Sequence, residues 1–224
     1  MTTLDNVHGT FIVKDRISAL THFIGFLAAL AGMPLLLMKA AAHHADAMPA
    51  LSIFMGSMIL LYGASASYHA FNINPKANLI LKRIDHCNIF LLIAGSYTPI
   101  CVMALPPEKG AGLLLFIWSA AFLGIIFKLF FVTCPKWVSS VLYIAMGWAC
   151  VSYIPLLARS MQGGFLWLLA GGIFYTVGGV IYAMRLNLFK KLSRVGFGNH
   201  ELFHLFVMAG SLCHYLMIYL YLLA

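Results

Sequence analysis

The chain has 224 residues, of which 62% are hydrophobic and 9% charged, and its formal net charge is +8. A soluble domain carries about 25% charged residues, so this composition excludes a water-soluble globule. The positive balance does not point to nucleic acid, because the basic residues are dispersed over short breaks between apolar runs.

Seven runs meet the length of about 20 mainly apolar residues that a spanning helix needs. The first covers roughly 17–38 and opens with Asp15, Ser18 and His22, whose spacing of three then four places them on one helix face. It follows Lys14 and Arg16 as a signal peptide would. Its apolar run exceeds the usual 7–15 residues of a signal core, so it is expected to be retained. The second run, 50–70, ends with Tyr62, Ser65 and His69 at the same spacing, inside the segment SASYH. The third, 84–105, opens with Asp85, followed near the same face by Asn88 and Ser96, with Pro99 placed to open a cavity. The fourth, 111–132, carries Lys128 near its end, where a long side chain can reach the interface. The fifth, 137–158, contains Pro155, expected to kink or end it. In the sixth, 163–184, Gly171, Gly172, Gly178 and Gly179 suit close helix packing rather than phosphate binding. The seventh, 199–223, begins with HELFH and holds His200, His204, Ser211 and His214 on one stripe. Nothing left over could form a soluble domain, so residues 1–224 read as one all-α, seven-helix transmembrane bundle.

The breaks orient it. Ten basic residues (Lys14, Arg16, Lys76, Lys82, Arg83, Lys136, Arg185, Lys190, Lys191 and Arg194) fall on one side, against Lys39, Lys109 and Arg159 on the other. The positive-inside rule then places the N-terminus in the cytoplasm and the C-terminus outside, in a multi-pass cell-membrane protein. His22, His69, Asp85, His200 and His204 consequently converge near the cytoplasmic face, although they come from four helices. Ionisable residues within spans are costly and mark functional sites. The five cysteines are scattered without a C-x-x-C pair and read as packing thiols. His8, His43, His44 and His86 lie at ends or in loops and read as solvated or interfacial.

Three protein ligands plus a water is the usual catalytic zinc arrangement. His200 and His204 supply two ligands from one helix face, and His69 is a natural third. Asp85 can hydrogen-bond a water in the fourth position or bind directly. Ser65, one turn before His69, can orient the free nitrogen of that ring. His214 lies ten residues past His204, roughly 15 Å along the axis, too far for the same metal. It can line a cavity instead.

SASYH at 65–69, Asp85 and HELFH at 200–204, spread over seven spans, resemble the S-x-x-x-H, D and H-x-x-x-H constellation of the progestin and adipoQ receptor family, whose bacterial branch is called hemolysin III. Asp15-x-x-Ser18-x-x-x-His22, LLIAGSYTP at 91–99 and GGIFYTVGGVIY at 171–182 are similar to that branch, and the likeness covers essentially the whole chain. One departure is Asp15, where Glu is frequent in the family. The resemblance implies seven helices with a cytoplasmic N-terminus and zinc held by three histidines, here His69, His200 and His204. It further implies Asp85 holding the water on that zinc, with Ser65 nearby. It also implies a role in membrane lipid homeostasis, including hydrolysis of lipid amides such as ceramide.

Four functions compete. A zinc-dependent lipid amidohydrolase would use Asp85 to orient or deprotonate water, with a membrane lipid as substrate. A membrane sensor would use the same zinc structurally. A cytolytic pore would need a ring of charges that the spans lack. An intramembrane protease would need Glu201 as general base and a distant Asp-Gly, a dipeptide absent from the chain.

Overall fold

A computed structural model describes residues 13–184 and 197–224. His8, Arg185, Lys190, Lys191 and Arg194 lie outside the described residues. Among the described residues there is no strand, and seven helices are long and apolar enough to cross a membrane.

The helices are α1 (Arg16–His43), α2 (Met48–Ala70), α3 (Pro75–Met103), α4 (Pro107–Phe131), α5 (Lys136–Gly147), α6 (Ile154–Met161), α7 (Gly164–Met184) and α8 (Asn199–Met217). A 3-10 turn at Ala45–Ala47 leads into α2, and α8 continues into a π-turn at Ile218–Leu222. α5 and α6 together make the fifth span.

Two helices exceed the apolar runs that announce them. α1 continues to His43 because Lys39–Ala42 keeps strong helix formers going beyond the apolar stretch. α3 starts at Pro75, well before residue 84. Asn74 caps it by accepting from the Ala77 N–H at 2.9 Å, and proline fits the first helical position. Its first turns are polar and therefore carry no hydropathy signal.

α3 is the central post, with two-thirds of its apolar window buried. It packs on α2, α4 and α5, α7 joins α5 to α8, and α8 closes back on α1. α4 stands outside α3, and Leu115, Phe122 and Phe130 point outward from it, as lipid-facing residues must. Gly124 lets α4 approach: a Cβ there would collide with the Phe90 ring.

The fifth span is broken, as Pro155 suggested, but the break begins earlier, at Gly147. The chain passes through a turn at 148–150 and a 3-10 turn at Val151–Tyr153 before α6 resumes, with Pro155 in its first turn, where a missing N–H is harmless. Exposed non-helical backbone at membrane depth would leave polar groups unsatisfied. Tyr97 of α3 prevents this by donating its hydroxyl to the Gly147 carbonyl at 2.6 Å and accepting from the Cys150 N–H at 3.1 Å. Trp148 is held by Thr176 of α7 at 2.9 Å. Tyr97→Phe removes both bonds and strands two backbone groups. Thermal unfolding in detergent should show a loss of about 2–4 kcal/mol; an unchanged transition would mean that the break is satisfied otherwise.

Candidate metal centre

The site lies at the end of the bundle where α1, α3 and α8 begin and α2 ends. The residues before α1 are strapped to the last turn of α2. The Lys14 and Asp15 N–H groups donate to the Ala70 and His69 carbonyls at 3.2 and 2.9 Å, and Lys14 Nζ donates to the Tyr68 carbonyl at 2.7 Å. Carbonyls that a helix end leaves orphaned are thereby satisfied. The same strap brings the Asp15 side chain beside His69.

His69, His200 and His204 converge as expected. One ring nitrogen from each lies within 4.8 Å of the other two. His69 and His204 are buried, His200 half-buried. His69 Nε2 and His200 Nε2 face each other at 3.0 Å.

The hydrogen bonds behind the rings fix which nitrogens point inward. Asp15 Oδ2 lies 2.9 Å from His69 Nδ1. A carboxylate only accepts, so Nδ1 carries the proton and Nε2 presents a lone pair. Thr21 spends its hydroxyl proton on the Ser18 carbonyl at 3.0 Å and sits 3.2 Å from His204 Nδ1. Thr21 can therefore only accept there, and His204 Nε2 is likewise left as a lone pair. Two of the three rings are thus held in the tautomer that metal ligation requires. The His200 Nδ1 atom is buried with no hydrogen-bond partner among the described residues.

This donor set fits a metal ion. Zinc binds histidine nitrogens at about 2.0–2.1 Å. Tetrahedral ligands at that radius stand about 3.3 Å apart, close to the His69–His200 separation. Imidazole ligation suits zinc, copper, iron or nickel rather than magnesium or calcium.

Asp85 is buried and lines one cavity together with His22, Ser65, His200 and His204. It is not a member of the three-histidine cluster. Its Oδ2 instead meets His86 Nδ1 at 3.2 Å, a proton that His86 shares with the Lys82 carbonyl at 2.9 Å. His86, read as solvated or interfacial, is half-buried and lines the same cavity. Ser65 is buried in the same wall. The expectation that Ser65 orients His69 is not met, since Asp15 occupies that nitrogen. His22 stacks on His204 at 3.6 Å with an 11° interplanar angle, and neither of its ring nitrogens has a hydrogen-bond partner among the described residues.

Glu201 faces a structural task. One oxygen accepts from Ser18 Oγ at 2.5 Å and the other from the Gly198 N–H at 2.7 Å. It caps the first turn of α8 and ties that turn to α1. Thr21 escaped the sequence reading, and His86 was given no part in the site. Thr21 lies off the Asp15–Ser18–His22 stripe, and only its place between Ser18 and His22 hinted at a role.

Asp15→Ala should leave the fold intact and weaken metal binding by about 10–100-fold, the usual effect of losing a ligand's hydrogen-bond partner. Competition against a chelating dye measures this; unaltered affinity would mean that Asp15 does not set the His69 ring.

The cavity behind the histidines runs inward to Trp148, Leu157 and Phe165, with a volume of about 150 Å³. Its walls are mainly aliphatic and aromatic.

Comparison with known proteins gives one consistent result. The family model described as Haemolysin-III related matches residues 11–215. Hemolysin-3 of Bacillus cereus is 37% identical over 215 residues, covering 95% of this chain and 94% of that protein. The Hemolysin-3 homolog of Bacillus subtilis is 37% identical over 204 residues, covering 90% and 91%. The adiponectin receptor protein of Drosophila melanogaster is 23% identical over 181 residues, covering 73% of this chain and 40% of that protein.

Proposed function

Because the chain belongs to the haemolysin-III related family, we propose that it is a zinc-dependent hydrolase of membrane lipids, acting on an amide bond of a ceramide-like substrate. The observation that carries this reading is a cluster of three imidazoles, two of which, His200 and His204, line an apolar cavity together with the buried carboxylate of Asp85. A lipid chain can occupy the cavity while its polar linkage lies against the histidines.

His69, His200 and His204 hold the zinc in this reading. When bound, it polarises a carbonyl and makes water acidic enough to ionise near pH 7. The protein's own part is positional. Asp15 and Thr21 hold two rings with Nε2 inward. Asp85 Oδ1, the oxygen not engaged with His86, accepts the proton of the attacking water. The apolar walls exclude bulk water from the linkage. The basic end of the bundle faces the cytoplasm of the cell membrane, following the distribution of Lys and Arg.

Glu201 speaks against proteolysis, since both its oxygens are engaged away from the histidines. A sensor with structural zinc is the second reading, favoured by the engagement of Asp85 with His86. Purified protein incubated with ceramide-like amides, before and after chelation, separates the two. Turnover that disappears with the metal and returns with zinc supports the hydrolase. Retained metal without turnover on any lipid amide supports the sensor.

A further inference from the structure

His214 is unused by the metal centre, yet it is one of the most constrained polar residues in the chain. It lies in α8, ten residues beyond His204, roughly 15 Å deeper along the helix. Its side chain is buried, with 7% exposure, and lines the same cavity. Neither ring nitrogen meets a hydrogen-bond partner among the described residues, although the Leu168 backbone lies beside the ring. A neutral imidazole has one N–H and one acceptor nitrogen on different edges. Even if the Leu168 carbonyl takes the N–H, the acceptor nitrogen still lacks a donor.

The surroundings keep this ring where it is. Gly171 of α7 leaves its seat open, for a Cβ there would collide with the His214 ring. Tyr175 packs edge-on against it, with ring centroids 5.4 Å apart. The Tyr175 hydroxyl is paired with Ser211 Oγ at 2.9 Å, and Tyr62 donates to the same oxygen at 2.6 Å. These neighbouring hydroxyls are thus engaged with one another. Leaving a buried polar group unpaired costs about 1–3 kcal/mol, so an acceptor held this way in an apolar cavity calls for a donor from outside the chain.

We infer that the inner end of the cavity is a second polar subsite, where His214 accepts a hydrogen bond from a hydroxyl carried partway along a lipid chain. The orientation of that chain, polar end at the three histidines, rests on the hydrolase reading. The subsite itself needs only the polar end of the chain at the histidines, not its cleavage. The spacing sets the ligand: about 15 Å corresponds to a hydroxyl roughly twelve carbons from the polar end of an extended chain.

The test is binding, not turnover. Full-length protein in detergent is titrated with 12-hydroxyoctadecanoate and with octadecanoate, and the two affinities are compared. The wild type should prefer the hydroxylated chain by about tenfold, equal to ~1.4 kcal/mol. His214→Leu should bring the ratio to about one while octadecanoate still binds. His214→Gln, which keeps an acceptor, should restore part of the preference. A ratio near one in the wild type overturns the subsite, as does a preference that survives in His214→Leu, or failure of both chains to bind. Because no step depends on hydrolysis, a preference in protein that cleaves no amide leaves the subsite standing and removes only the hydrolase reading.

Discussion

His204→Ala should purify as folded protein with almost no bound metal. In the proposed site three imidazoles would hold the ion, and His204 is the one fixed from both sides, by Thr21 at 3.2 Å and by the stacked His22 ring at 3.6 Å. Removing one of three ligands takes away more than the loss of a supporting hydrogen bond, which alone costs about 10–100-fold. The expected decrease in affinity is therefore at least about 100-fold. Elemental analysis of protein purified at fixed zinc should give close to one metal per chain for the wild type and a small fraction for the variant. His69→Ala and His200→Ala should behave alike. Stability should follow: ligands that bind only the folded state raise the unfolding transition by mass action, so zinc should shift the melting of the wild type and not that of His204→Ala. Equal metal content in the two proteins would move the metal site elsewhere.

Asp85→Asn separates the roles that the histidines combine. Asp85 lies outside the three-histidine cluster, so the amide variant should keep its metal. It cannot accept a proton, and general-base catalysis contributes about 10²–10⁴-fold. Turnover of a lipid amide should fall by that factor with near-normal zinc content. If metal is lost together with activity, Asp85 belongs to the ligand set. Unaffected turnover would assign the proton to another group, of which Ser65 and His22 line the same cavity.

The seven spans were legible because a bilayer imposes length and apolarity together, and few other constraints compete with these. The histidine cluster was legible for a related reason: an ionisable side chain in a span is costly enough to be informative, and the three histidines were expected at one depth. What escaped notice was set by rotation and contact. Ser65 stands one turn from His69 in sequence, yet Asp15, from the segment before α1, holds that ring. Glu201 belongs to a protease-like word, but Ser18 and Gly198 claim its oxygens. His86, near the start of the third run, read as solvated or interfacial because the sequence does not show that its ring meets Asp85. The Gly147 break was foreshadowed by Pro155 but not located by it, since the partner that makes a break tolerable, Tyr97, lies on another helix.

The closure of α8 onto α1 also has a consequence for biosynthesis. His69 is made early, and the other two histidines of the cluster lie on the seventh spanning helix, 131 residues later for His200. A ribosome-bound chain that has inserted six spans would offer a metal only one of the three clustered imidazoles. If the cluster is the metal site proposed above, loading would wait until α8 has docked between α1 and α7. A stalled or truncated product would stay metal-free, and metal content would report whether the last helix had arrived.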